Sequence, residues 1–402
     1  MKGEWGRAAC SLVAATAILS LSWMTARGES REAVPVDGSS FAAEIASITS
    51  DWQVTLRDGE RAQTVPAADI VAWGHVAELP SRPLIVMTDG SVLVGDVVQA
   101  DRQRLVAESF LVSASQGPLE VPLELVAGLI IQPPNGRNAR DALIDRIVAG
   151  GARSDLVVLA NGDELSGSIQ SIREGSAILE TEVGTIDIGP DRLRAVIFNP
   201  GLWQRATHDG LYAVIGLADG SRLATDRVSL GDTRLEFTVN GNTWSAAPHD
   251  LACFETRGGR AVYVSDLTAD SYRHIPFLEL SWPYRIDRTV SGSALRAGGH
   301  PYLKGIGMHS AARITYILSE PFRRFQAEVA VDDETDGGGS VRFRVYADGQ
   351  SRYAGPIVRG GQPPVPVSVD LEGVKRLDLI VDFADRADEL DRADWLRARL
   401  IK

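Results

Sequence analysis

The sequence predicts an all-β protein in which tandem small β-barrel units are followed by a β-sandwich. Three observations carry this. Asp-Gly or Asn-Gly pairs stand between apolar runs at Asp58-Gly59, Asp89-Gly90, Asn161-Gly162 and Asp219-Gly220. Such pairs mark hairpins, because a type I′ turn needs positive φ at both central residues. Near the C-terminus, Val341, Phe343 and Val345 alternate with Arg342, Arg344 and Tyr346, the period of a half-buried strand. A helical spacing interrupts the pattern once, at Leu143, Ile144 and Ile147.

Taken in order, the chain opens with a basic start (Lys2, Arg7), an apolar run over residues 8–24 and small residues at Thr25, Ala26 and Gly28. Residues 1–28 read as a secretory signal peptide. The run is about 17 residues, the lower limit for a spanning helix, so an uncleaved anchor is the alternative. Either way the chain is expected to be exported. Residues 29–40 are polar, contain Pro35 and Gly38, and read as a linker.

Residues 41–132 and 153–257 each carry two copies of one unit. Each copy has a strand, a tight turn, a second strand and a later strand that ends near a proline or glycine, as at Val65-Pro66, Val121-Pro122, Gly189-Pro190 and Ala247-Pro248. A unit of this size resembles a small Sm-like or SH3-like barrel. One unit has few core residues, so paired neighbours would bury more surface and cover strand edges. One large irregular sandwich is the alternative. Between the pairs, residues 133–152 read as a linker helix that Pro133-Pro134 precedes and Gly150-Gly151 ends.

In residues 258–402, four motifs follow one another. They are Gly305-Ile306-Gly307-Met308-His309-Ser310, then Phe325 to Asp333, then Gly339 to Gly349, then Asp391-Arg392-Ala393-Asp394-Trp395. In this order they resemble the NPCBM family, named for carbohydrate-binding modules. The resemblance implies a jelly-roll sandwich of the galactose-binding type, often appended to glycoside hydrolases. Family members often carry His where Arg392 stands, which puts any role of that histidine in doubt here.

Composition excludes several functions. Acidic residues outnumber basic ones, 53 to 41, for a net charge of −12. Nucleic-acid binding needs clustered Lys and Arg, and this balance argues against it. The two cysteines, Cys10 and Cys253, leave no disulfide once Cys10 is removed with the signal. The six histidines lack zinc-ligand spacing. No G-x-S-x-G, H-E-x-x-H or phosphate-binding loop occurs. After the signal, no stretch is long and apolar enough to span a membrane.

Two sets of residues carry candidate chemistry. A pyranose presents an apolar C–H face that stacks on an aromatic ring, while charged groups take its hydroxyls. Trp282, Tyr284 and Arg285 offer this in one loop, and His309 offers a further polar group. The alternatives are that Trp282 is a core residue and that His309 satisfies a buried carbonyl. Trp395, beside Leu396 and Leu400, reads as core. Carboxylates at Asp332, Asp333, Asp391 and Asp394 could supply hard oxygens to a structural Ca²⁺, or be solvated loop charges. The expected function is a non-catalytic, exported protein of the periplasm or cell envelope that attaches to polysaccharide through its sandwich. The alternative is a structural or protein-interaction scaffold of the envelope with no glycan ligand.

Overall fold

The computed structural model describes residues 31–114, 117–150, 153–205 and 207–402. The signal peptide expected at residues 1–28 lies outside them. The four front units share one strand order. The first strands are Arg31–Pro35, Leu84–Met87, Asp155–Leu159 and Tyr212–Leu217, and each is followed by a tight turn. Counting Val92–Val94 with Asp96–Ala100, and Arg222–Thr225 with Val228–Leu230, as one interrupted second strand each, and setting aside the short Ser113–Ala114, the fifth strands are Ile70–Gly74, Val126–Ile130, Leu193–Ile197 and Leu251–Arg257. In every unit the fifth strand returns antiparallel to the first, and the register slips once in that pairing. A bulge at the same step of four units is a repeated device for bending a sheet.

The turns explain the sequence signal. Asp89, Asn161 and Asp219 each accept the amide of the residue two positions on. Gly90, Gly162 and Gly220 each adopt positive φ. In unit one the equivalent turn is Asp37-Gly38, not Asp58-Gly59. The amide of Val36 donates to Asp69 O just as Thr88 N donates to Leu125 O and Ala218 N to Asp250 O. Residues 29–40 are therefore not simply a linker, since Arg31–Pro35 is the first strand of unit one. It pairs with both Phe41–Ile48 and Ile70–Gly74. Polarity hid it, because Arg31 and Glu32 stand outward while Ala33 and Val34 are buried.

The units do not stand as separate closed barrels. Within each, pairing runs from the fifth strand to the first, second, third and fourth, and no fourth-to-fifth pairing occurs among the described residues. The open edges pair between units instead. Fifth strands join units two and three at Gly128↔Ile197, and units four and one at Cys253↔Gly74. Second strands join units two and four at Val92↔Arg222. One apolar core runs through all four, from Ile45 and Trp73 through Leu105 and Leu179 to Phe237 and Trp244.

The one α-helix among the described residues, Arg137–Ala149, ends at Gly150, whose φ of 64° glycine tolerates for want of a Cβ. Leu143, Ile144 and Ile147 pack on units two and three with Val86 and Ala195. The helix is more than a spacer in the array. Its Asp141 meets Arg296 at 2.9 Å and its Asp145 meets Arg288 at 2.6 Å, both arginines belonging to the C-terminal unit.

That unit is a β-sandwich of two antiparallel sheets. One has the order Arg285–Ile286, Gly305–His309, Arg392–Ile401, Arg324–Val331, Val365–Asp370, with Ala261–Tyr263 also paired to Arg392–Ile401. The other has the order Ser271–His274, Ala312–Ile317, Arg376–Phe383, Ser340–Ala347, Gln350–Arg359. Val341, Phe343 and Val345 are fully buried, as their alternation predicts. Trp395 is fully buried, with Phe343 edge-on at 5.0 Å and Phe325 at 5.9 Å.

Candidate functional site

The site is built on the loop between Ser271–His274 and Arg285–Ile286. Trp282 is held in it at three points. Its indole stacks on the His309 ring, with centroids 5.1 Å apart and planes 8° from parallel. Its amide donates to His274 Nδ1 at 3.2 Å. Its carbonyl accepts the Tyr272 hydroxyl at 2.9 Å. The residue is half-buried, so it is neither a core plug nor a free side chain. Aromatic side chains fixed this way lose little rotamer freedom on binding, which favours them as contact platforms.

Around Trp282 the loop is apolar and open. Phe277 is 55% exposed, Leu278 79% and Leu280 65%. Phe277 meets Phe383 edge-on at 6.2 Å. Leu278, Leu280 and Trp282 alternate as a strand would, yet no strand forms here. The alternation did not reveal that this rim is exposed.

The other expected residues divide. Tyr284 is half-buried, packs on the sandwich core and lies 5.0 Å from Tyr272. Arg285 is exposed, pairs opposite Gly307, and its Nε donates to Val290 O at 3.1 Å. Trp282, Tyr284 and Arg285 thus lie along one margin of the Gly305–His309 strand. His309 does not line that surface. It is 5% exposed, its Nδ1 donates to Ser310 O at 2.9 Å, and the indole covers its ring. Burial lowers its pKa, so the ring is a neutral pedestal under Trp282. His274, whose Nε2 donates to the same carbonyl at 2.9 Å, completes the support. Its Nδ1 is then left free to accept from Trp282, which fixes the tautomer.

The four motifs converge on a different place, and their business there is structural. A Cβ on Gly307 would fall 2.3 Å from Arg288 O, and one on Gly305 would fall 2.7 Å from Trp395 O. Both glycines are needed so that the neighbouring backbone can approach. Ser310 Oγ donates to Asp391 Oδ2 at 2.6 Å, and Ser340 N to Asp391 Oδ1 at 2.8 Å. Asp332 accepts the amides of Arg296 and Glu334, both at 2.8 Å. Asp333 accepts the amides of Gly298 and Gly299. Arg392, at the position where relatives often have His, pairs with Glu334 at 3.2 Å.

These contacts run against a shared Ca²⁺ site. Asp332 and Asp333 spend their oxygens on backbone amides and Asp391 on Ser340 N and the Ser310 hydroxyl, and among the described residues no group of three such side chains could hold a metal ion. Asp394 is fully buried and neither of its oxygens receives a hydrogen bond. Burial, then the neighbouring Asp332 carboxylate, pushes its pKa well up. Burial also pushes Asp332 and Asp391 up to about 6.

Residues 260–401 match the NPCBM/NEW2 domain. A Renibacterium salmoninarum protein, provisionally named an endo-alpha-N-acetylgalactosaminidase, is 33% identical over 110 residues, which are 27% of this chain and 7% of that protein. Alpha-1,3-galactosidase B of Akkermansia muciniphila is 32% identical over 116 residues, 28% of this chain and 14% of that one. The match therefore spans a small part of each relative. Among solved structures, the CBM51 module from Clostridium perfringens GH95 in complex with methyl-galactose has 25% identity and a TM-score of 0.32. That alignment covers 35% of this chain and 99% of the module.

Proposed function

We propose that this is an exported, non-catalytic glycan-binding protein whose C-terminal sandwich attaches it to polysaccharide. The observation that carries the reading is Trp282, whose ring, amide and carbonyl are all fixed while the side chain stays half-exposed beside Arg285. A fixed aromatic face with a charged donor at its edge suits a pyranose. The NPCBM/NEW2 match supports the class of ligand. The names of the two relatives, enzymes of galactose and N-acetylgalactosamine linkages, favour a galactose-type sugar. Export rests on the basic start and the apolar run at residues 8–24.

A single shallow stacking site binds weakly, with a dissociation constant on the order of 0.1–1 mM. Attachment then depends on many sites engaging one polymer. Affinity electrophoresis through a galactose-containing polysaccharide tests the proposal. Retardation by the polymer, with little competition from free galactose, is the expected result. Equal mobility with and without a panel of polysaccharides rejects it. A second reading, a protein-binding scaffold, is favoured by the exposed Phe277, Leu278 and Leu280. It gains ground if mobility is unchanged but the chain self-associates or captures envelope protein through this loop.

A further inference from the structure

A cleft with a volume of about 1320 Å³ lies away from Trp282, between the front array and the sandwich. Ligand sites favour such places, where two units supply different walls. Unit one contributes Arg31 and the segment just after its last strand contributes His75, while the sandwich contributes His300, Arg324 and Arg399.

The charge of these walls runs against that of the chain. The whole chain carries −12, yet three guanidinium groups line the cleft against two carboxylates, Glu32 and Glu328. Glu328 is already engaged, by Arg397 at 3.6 Å and by the Tyr302 hydroxyl at 3.1 Å, while Arg324 reaches Asp37 at 3.9 Å. Arg399 is the unusual member. It is 5% exposed, and it donates to Gln326 Oε1 at 3.2 Å and to Arg397 O at 3.0 Å. Among the described residues no carboxylate pairs with it. A buried cation without a counter-charge is costly unless something else supplies one.

The cleft also has flat surfaces. His75 and His300 stack with centroids 4.4 Å apart and planes 14° from parallel, and Tyr302 meets His75 edge-on at 5.4 Å. Burial first, then Arg397 and its neighbours, pushes His75 down to about 3, so this ring is neutral at ordinary pH. His300 is exposed at the end of the stack.

From Arg399, buried with no carboxylate paired to it, the guanidinium groups that line the cleft and the exposed His300 face, we infer that the cleft is a second glycan contact, one that takes a sugar bearing a carboxylate. A carboxylate would form charge-assisted hydrogen bonds with the arginines, and the pyranose face would lie on the histidine stack. The class of ligand rests on the glycan-binding reading, but the place and the charge do not.

Calorimetry on the full chain at low ionic strength tests this with three probes: a galacturonate trimer, the matching uncharged galactose trimer, and inorganic phosphate. The acidic trimer should bind about tenfold more tightly than the neutral one, and the gap should shrink with added salt. Arg324→Gln and His300→Ala, both at the surface, should each cut the acidic trimer toward the neutral level. Trp282→Ala should leave the preference for charge in place. Equal affinities for the two trimers, or an acidic preference unchanged in both cleft variants, would overturn the inference while leaving the Trp282 site standing. Phosphate competing as well as the trimer would reduce the cleft to a simple anion site. Binding of neither trimer at any salt would instead count against the glycan reading itself.

Discussion

Ser310 and Asp391, 81 residues apart in sequence, are joined by a 2.6 Å hydrogen bond in the fully buried interior of the sandwich. Ser340 N closes on the other Asp391 oxygen. One carboxyl group thus ties the end of the Gly305–His309 strand to the start of the Ser340–Ala347 strand in the opposite sheet. Burial, opposed by these donors, leaves Asp391 at about 6. The carboxylate present above that value depends on both donors.

Ser310→Ala removes one of them. A lost hydrogen bond to a charged group costs about 1.5–3 kcal/mol, and to a neutral one about 1 kcal/mol. The variant should therefore lose more stability at pH 7.5, where Asp391 is ionised, than at pH 4.5, where it is mostly protonated. Urea titrations of both proteins at the two pH values measure this. An equal loss at both would show that Asp391 does not titrate in this window.

Asp394 gives a second pH dependence, with a sign that follows from linkage. Its folded pKa lies well above the unfolded value, so the native state holds the proton more tightly than the unfolded chain. Its contribution is then most favourable below the unfolded pKa, and stability falls as pH rises through and beyond it. Asp394→Asn keeps the shape, cannot ionise, and can donate to Asp332. The variant should match the parent near pH 4 and exceed it at pH 8 by about 1–3 kcal/mol, the cost of a buried unsatisfied polar group. Parallel melting curves across that range would refute the assignment.

Metal removal should do nothing. Asp332, Asp333 and Asp391 accept backbone amides, Asp394 favours its protonated form, and among the described residues no three such side chains are grouped to hold an ion. Melting temperatures in EDTA and in millimolar calcium should coincide. A rise with calcium would refute this and restore the shared carboxylate site, by mass action.

The sequence disclosed what local chemistry determines. Asp89-Gly90, Asn161-Gly162 and Asp219-Gly220 are hairpins because the side chain and the glycine each satisfy the turn on their own. The Val341, Phe343, Val345 alternation marks a buried face for the same reason. Asp37-Gly38 escaped notice because the strand before it is short and begins with the polar Arg31 and Glu32, so no apolar run flags the turn. The pairing of unit four with unit one, at Cys253↔Gly74, has no local signature. In the candidate site, Trp282, Tyr284 and Arg285 were legible as types in one loop. His309 was misplaced because composition names a polar group but cannot say that an indole covers its ring.

The contacts between array and sandwich lead to a test of their independence. Tyr263 and Ile401 are buried together with Val34, Val36 and Ala72 of unit one. Arg397 donates to Gly74 O at 3.0 Å, and Arg296 pairs with Glu78 and Asp141 at 2.7 and 2.9 Å. A fragment of residues 258–402 keeps both complete sheets, so it should fold, but it exposes this apolar surface and strands Arg296. It should melt at least about 5 °C below the sandwich transition of the full chain, a shift of roughly 1–2 kcal/mol for its size. Calorimetry on both decides it. Coincident transitions would mean that the interface contributes nothing to the sandwich.

Trp282 offers the sharpest separation of binding from folding. Its ring lies on His309, so truncation uncovers a buried imidazole and forfeits an aromatic pair worth about 0.5–1.5 kcal/mol beyond the area lost. Its amide and carbonyl bonds to His274 and Tyr272 are made by the backbone and survive the substitution. Trp282→Ala should therefore cost about 1–2 kcal/mol, well short of unfolding the sandwich, while abolishing retention on polysaccharide. Trp395→Ala is the contrast, since a fully buried indole between Phe325 and Phe343 should cost about 3–5 kcal/mol. Trp282→Phe keeps a flat face on the His309 pedestal and should retain part of the binding. Retention unchanged in Trp282→Ala, with melting lowered as far as in Trp395→Ala, would make Trp282 a core residue. The exposed Phe277, Leu278 and Leu280 would then be left as the basis of a protein-interaction surface.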